Sequence, residues 1–78
     1  MTRKRVVVEF FDITIRSDGW FDQEEVDNTL PILLVAEGLI VYEDEHLLKL
    51  APMYNAERQC AGVLMIIPKG CIFTRRDI

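Results

Sequence analysis

Seventy-eight residues suffice for one domain over 1–78, and a chain this short buries only roughly 60% of its unfolded surface. Half of the residues are hydrophobic, more than a core of this size can hide, so a homo-oligomer is expected. The net charge of −4 argues against general nucleic-acid binding, which needs clustered Lys and Arg facing phosphates.

The chain opens with Met1-Thr2-Arg3-Lys4-Arg5, and the apolar run that follows is cut by Glu9 and Asp12. A secretory leader is therefore not expected. No uncharged run is long enough to span a bilayer, so neither membrane association nor a membrane partner is expected. A cytoplasmic location is the matching expectation. Val6 to Arg16 reads as the first strand, with Val6-Val7-Val8 and Phe10-Phe11 as β-formers. From Asp12 the pattern alternates, with Ile13 and Ile15 on one face. Ser17-Asp18-Gly19 supplies turn chemistry to end it.

Asp22 followed by Glu25 forms a capping-box pattern, and acids crowd the first turn. A short helix is predicted from Gln23 to about Asn28, with Pro31 ending or following it. Pro31 to Tyr42 supports two readings. Ile32-Leu33-Leu34-Val35-Ala36 could extend a helix kinked at Pro31, with Gly38 as its stop. The favoured reading is one long strand bent at Gly38, where glycine lends the backbone freedom a small barrel needs.

Glu43-Asp44-Glu45 makes the next turn. His46 to Leu50 is a strand with Leu48 and Leu50 inward and Lys49 outward. Ala51 to Glu57 is a loop or strand extension, Cys60 to Ile67 a fourth strand, and Cys71 to Arg75 a fifth. Between the last two, Pro68-Lys69-Gly70 breaks two apolar runs with a tight turn. The expected fold is mainly β: a small five-stranded SH3-like or Sm-like barrel with one short helix in its first long loop.

The charges are unevenly placed. Ser17 to His46 contains no Lys or Arg but holds Asp18, Asp22, Glu24, Glu25, Asp27, Glu37, Glu43, Asp44 and Glu45. Arg3, Lys4 and Arg5 lie at the front, and Lys69, Arg75 and Arg76 near the back. Solvated faces explain this distribution; so does a basic patch where the termini meet, suited to an anionic ligand or acidic partner.

Several elements together resemble a group of small phage and prophage proteins of unassigned function. They are Trp20, the acidic stretch Asp22 to Asp27, Pro31, Gly38-Leu39-Ile40-Val41 with Glu43-Asp44, and Ile67-Pro68-Lys69-Gly70-Cys71-Ile72. The resemblance spans most of the chain, although Leu39 stands where that group often has an aromatic residue. It implies an SH3-like body and a viral accessory role in the host cytoplasm. It supplies no catalytic residues.

No enzymatic constellation is evident. His46 is the only histidine, and its neighbours Glu43, Asp44 and Glu45 point different ways from a turn, which suits solvation better than a metal. Cys60 and Cys71 lack CxxC spacing and read as reduced thiols, with a bridge between adjacent strands as the alternative, and not as a Cys-His nucleophile with His46. No cofactor or metal is expected. The candidate binding residues are Trp20 and Phe21, which would cap the barrel or stack on a ligand, with Tyr42, Lys69, Arg75 and Arg76. The leading expectation is a non-enzymatic oligomeric binding protein that sequesters or blocks a host factor, either a host protein or a small nucleotide signal. The alternatives are an Sm-like module for RNA or single-stranded DNA using Trp20, Tyr42, Lys69, Arg75 and Arg76, and a structural assembly piece without a ligand.

Overall fold

The computed structural model describes residues 3–13, 15–17 and 19–78. Seven strands and one helix follow in the order β1 (Arg5–Phe11), α1 (Gln23–Asn28), β2 (Leu33–Glu43), β3 (Leu47–Ala51), β4 (Met53–Asn55), β5 (Cys60–Gly62), β6 (Met65–Pro68) and β7 (Ile72–Asp77). A single 3₁₀ turn, Lys69–Cys71, joins the last two. Five strands form one antiparallel sheet in the order β6-β3-β2-β1-β7, and β4 pairs with β5 in a separate hairpin. The chain is mainly β, as expected. No helix among the described residues is long and apolar enough to cross a membrane.

Side-chain alternation builds the core. Val6 and Val8 point inward from β1, opposite Gly38 and Ala36 of β2. Leu48 and Leu50 of β3 and Ile67 of β6 complete the cluster, with Phe10, Ile40, Met65 and Ile72 packed around it. Burying each such aliphatic side chain contributes about 1.5–3 kcal/mol. Lys49, between the two leucines, lies outside the core with its ammonium 4.4 Å from the centre of the Tyr42 ring.

The strand order forces the sheet to roll. β6 and β7 are consecutive in the chain yet occupy opposite edges. Five flat strands would separate those edges by about 19 Å. The four Cα steps from Pro68 to Ile72 can reach at most about 15 Å. Gly38 sits where β2 approaches the end of β3: a Cβ there would lie 2.9 Å from the Ala51 carbonyl carbon and oxygen. Its φ lies outside the left-handed region, so close approach explains the glycine better than backbone freedom does. An extra residue, Val41, bulges from β2 between the Ile40–Leu50 and Tyr42–Lys49 pairs and adds twist. No ladder joins β6 to β7 among the described residues, so the sheet is open at that seam. Pro68 has no N–H to donate at the end of the four-residue β6.

Three expectations need correction. The first strand stops at Phe11 and does not run to Arg16. Its partner β2 begins at Leu33, opposite Phe11, and the Asp12 N–H to Ile32 carbonyl bond (2.8 Å) closes the pairing. Among the described residues, Ile13 and Ile15 therefore have no strand beside them; Thr14 lies outside the described residues, as does Asp18 of the proposed turn. The kinked-helix reading of Pro31 to Tyr42 fails, because Leu33–Glu43 is one continuous strand. The expected fourth strand, Cys60 to Ile67, is two strands broken at Val63 and Leu64. Val63 takes a φ of 58°, which turns the chain out of the β4–β5 hairpin and into the main sheet.

Candidate functional site

The segment between β1 and β2 leaves the sheet as an arm. Its helix forms for local reasons: the Asp22 carboxylate accepts from the Glu25 N–H at 2.8 Å. At the other end Thr29 closes the helix, its N–H and hydroxyl both donating to the Glu25 carbonyl at 3.0 and 2.6 Å. No residue of α1 is buried. Along the arm Ile13, Ile15, Trp20, Val26, Leu30 and Ile32 are all exposed, Trp20 completely so at 101%. Phe21 is half-buried, with the Arg16 guanidinium 4.5 Å from its ring centre. Trp20 therefore does not cap the end of the sheet; it stands away from it.

A second cluster stands where the end of β2 meets β7. The Glu43 carboxylate accepts two bonds from Arg75, at 2.7 and 3.1 Å, and lies 2.7 Å from the Lys69 ammonium. These bonds, first from Arg75 and then from Lys69, hold Glu43 at about 2, below its ordinary 4.5. The Arg75 guanidinium is correspondingly raised, chiefly by Glu43. One carboxylate thus ties the end of β2 to the 3₁₀ turn and to β7, across the open seam.

Next to it, the Tyr42 hydroxyl donates to Asp44 at 2.7 Å. Asp44 also accepts from the backbone N–H groups of His46 and Leu47, which shapes the β2–β3 turn. The Tyr42 bond, then the two backbone bonds, lower Asp44 to about 2. The Tyr42 phenol is raised, chiefly by the same bond.

A third feature is the meeting of the termini. The Ile78 N–H donates to the Arg5 carbonyl at 3.0 Å, and Lys4 lies 3.8 Å from Asp77. Arg3, Lys4, Arg5, Leu39, Asp77 and Ile78 line one hollow, three bases and one acid beside two apolar side chains. Arg3 also stacks over the Tyr54 ring at 5.0 Å.

The six candidate residues are thus distributed over separate places. Lys69 and Arg75 meet at Glu43. Tyr42 is occupied by Asp44 and Lys49. Arg76 lines a hollow with Val7, Glu9, Thr74 and Arg75, so the structure brings these two arginines to one place. Trp20 and Phe21 stay on the arm. The sequence reading passed over Glu43 as a bonding partner, because Lys69 and Arg75 lie far from it in the chain. It also passed over Arg3 with Tyr54, and the arm's isoleucines as exposed surface. Only the unbroken acidic stretch after Ser17 hinted that this segment is a distinct surface. Cys60 and Cys71 are free thiols. No group of His, Cys, Asp or Glu among the described residues is arranged to hold a metal ion. No family model matches the chain, and neither a curated protein nor a solved structure matches it.

Proposed function

We propose that this chain is a non-enzymatic, self-assembling binding module whose body is an SH3-like or Sm-like barrel left open at one seam. The observation that carries the reading is the arm, where six large apolar side chains from Ile13 to Ile32 lie uncovered in the single chain. Six exposed apolar side chains on one segment support a docking surface for another macromolecule. The five-strand order, with a short 3₁₀ turn between the two edge strands, supports the barrel description of the body.

The accessory role, sequestering a host protein or a small anionic signal, rests on the resemblance to small phage proteins. The nucleic-acid alternative is less well supported. Of its five residues, Lys69 and Arg75 are engaged by Glu43 and Tyr42 by Asp44. Native mass spectrometry of the protein purified from its own host tests the proposal. Assemblies of the chain, alone or with a retained ligand or partner of defined mass, are the expected result. A bare monomer at micromolar concentration would overturn it.

A further inference from the structure

We propose that the occupant of the arm is a second copy of this chain, in a two-fold dimer that lays each acidic arm against the basic terminal hollow of its partner. The inference rests on the self-assembly reading above and names the surfaces that meet.

Size supplies the first argument. The chain exposes 6231 Å². A compact monomer of 9.1 kDa exposes about 4,900 Å². The excess, about 1,300 Å², is larger than the roughly 800 Å² each partner contributes to a standard stable interface. The radius of gyration is 16.1 Å, against about 11.5 Å for a compact domain of this length. The molecule is 54 Å long and only 22 by 20 Å across. Extra surface in an elongated chain is what one half of a dimer looks like when drawn alone.

Charge supplies the second argument. Residues 12–32 carry six acids (Asp12, Asp18, Asp22, Glu24, Glu25, Asp27) and one base (Arg16), a net −5. The rest of the chain carries eight bases and seven acids, a net +1. Three of those bases, Arg3, Lys4 and Arg5, line the hollow with Leu39, Ile78 and one acid, Asp77, which leaves it net basic. The arm offers the complement: apolar side chains interleaved with carboxylates.

Geometry supplies the third. The arm leaves the C-terminal end of β1, and the hollow surrounds its N-terminal end. With the two surfaces at opposite ends of one strand, an antiparallel pair brings both arms to both hollows at once. That is the self-complementary arrangement a two-fold axis requires.

Charge reversal on each side tests this. Glu24→Lys, Glu25→Lys and Asp27→Lys together make an arm variant, which turns the arm's net −5 into +1; Arg3→Glu with Lys4→Glu makes a body variant, which leaves the two introduced acids and Asp77 against Arg5 at the hollow. None of the five positions lies in the core. In each variant alone, arm and hollow carry like charge, so the dimer should weaken about tenfold or more. An equimolar mixture restores both contacts, since each arm then meets a hollow of opposite sign. Light scattering reads the mass. Trp20, the sole tryptophan, reads the contact, with emission shifted to the blue in the dimer and to the red on dilution. Single variants that dissociate and a mixture that recovers the wild-type dimer constitute the expected result. A wild-type dimer untouched by either reversal, or a mixture that stays monomeric, overturns this arrangement while self-assembly stands. A wild-type mass above the dimer overturns the two-fold arrangement in the same way, and a wild-type monomer overturns both.

Discussion

Replacing Gly38 with alanine adds one carbon where two strands' main chains lie in close approach. The new Cβ would lie 2.9 Å from both the carbonyl carbon and the oxygen of Ala51, and 3.1 Å from the Pro52 nitrogen. All three are main-chain atoms, so no side chain can rotate away. β3 would have to retreat from β2 at the Leu39–Ala51 pair, where the two strands begin their ladder. Overpacking of this kind costs about 1–3 kcal/mol. At about 2 kcal/mol, a domain of this size should melt about 8–16 °C lower. Valine, with two further carbons, should cost more. Gly70→Ala is the control: nothing lies within 4 Å of its added carbon, and the change should stay within about 0.5 kcal/mol. The assay is thermal unfolding followed by circular dichroism at one fixed protomer concentration, because assembly raises the apparent melting temperature. An alanine variant melting within a degree or two of wild type would refute the close-approach account.

The Glu43 clamp makes stability depend on pH. Its folded value of about 2 lies below the ordinary 4.5. The clamp's contribution is therefore full above about pH 5 and is lost as pH falls through about 2. Converted directly the shift is about 3 kcal/mol; with the Glu43 side chain 31% exposed, solvent screening reduces it to about 1 kcal/mol. Glu43→Gln should lower neutral-pH stability by about that amount and make the acid limb of the stability curve shallower, though not flat, because Asp44 titrates in the same window. An unchanged urea midpoint at pH 7 and an unchanged acid limb would exclude the clamp. Val63→Asn should raise the urea midpoint, since a β-branched residue at positive φ costs on the order of 1 kcal/mol and asparagine tolerates that region; a fall would show that the Val63 side chain packs. Leu48→Ala empties a site with no exposed surface and should cost about 2–5 kcal/mol, whereas Ile15→Ala should leave the core's stability unchanged.

What the sequence disclosed was local. Leu48-Lys49-Leu50 announced its inward and outward faces because alternation is a property of the strand itself. Asp22 and Glu25 marked the helix start because a cap needs only three residues. Gly38 was rightly placed inside one long strand, but its reason was not readable, since Ala51 arrives from another strand. Ile13 and Ile15 misled for the converse reason: alternation describes a strand's faces and says nothing of whether a partner lies alongside. At Val63 the residue type opposed the conformation, so the break between β5 and β6 left no trace. The Glu43 cluster was hidden because rolling the sheet, not chain spacing, brings Lys69 and Arg75 to it.

The arm also explains why the body stays small. A stretch of some twenty residues loses about 1–2 kcal/mol of backbone entropy for each residue it orders. A six-residue helix lies below the length at which helices hold on their own, even with both ends capped. Burial must offset that loss, and within one chain the arm buries almost nothing. The pairing of Phe11 with Leu33 fixes both ends of the arm at the sheet's rim, which directs it outward and away from the Val6–Leu48 core. The docking of the arm on a second chain, as proposed above, would offset that loss. Six of the seventeen exposed large apolar side chains among the described residues lie on this segment, and in the proposed dimer its ordering and assembly would be one event.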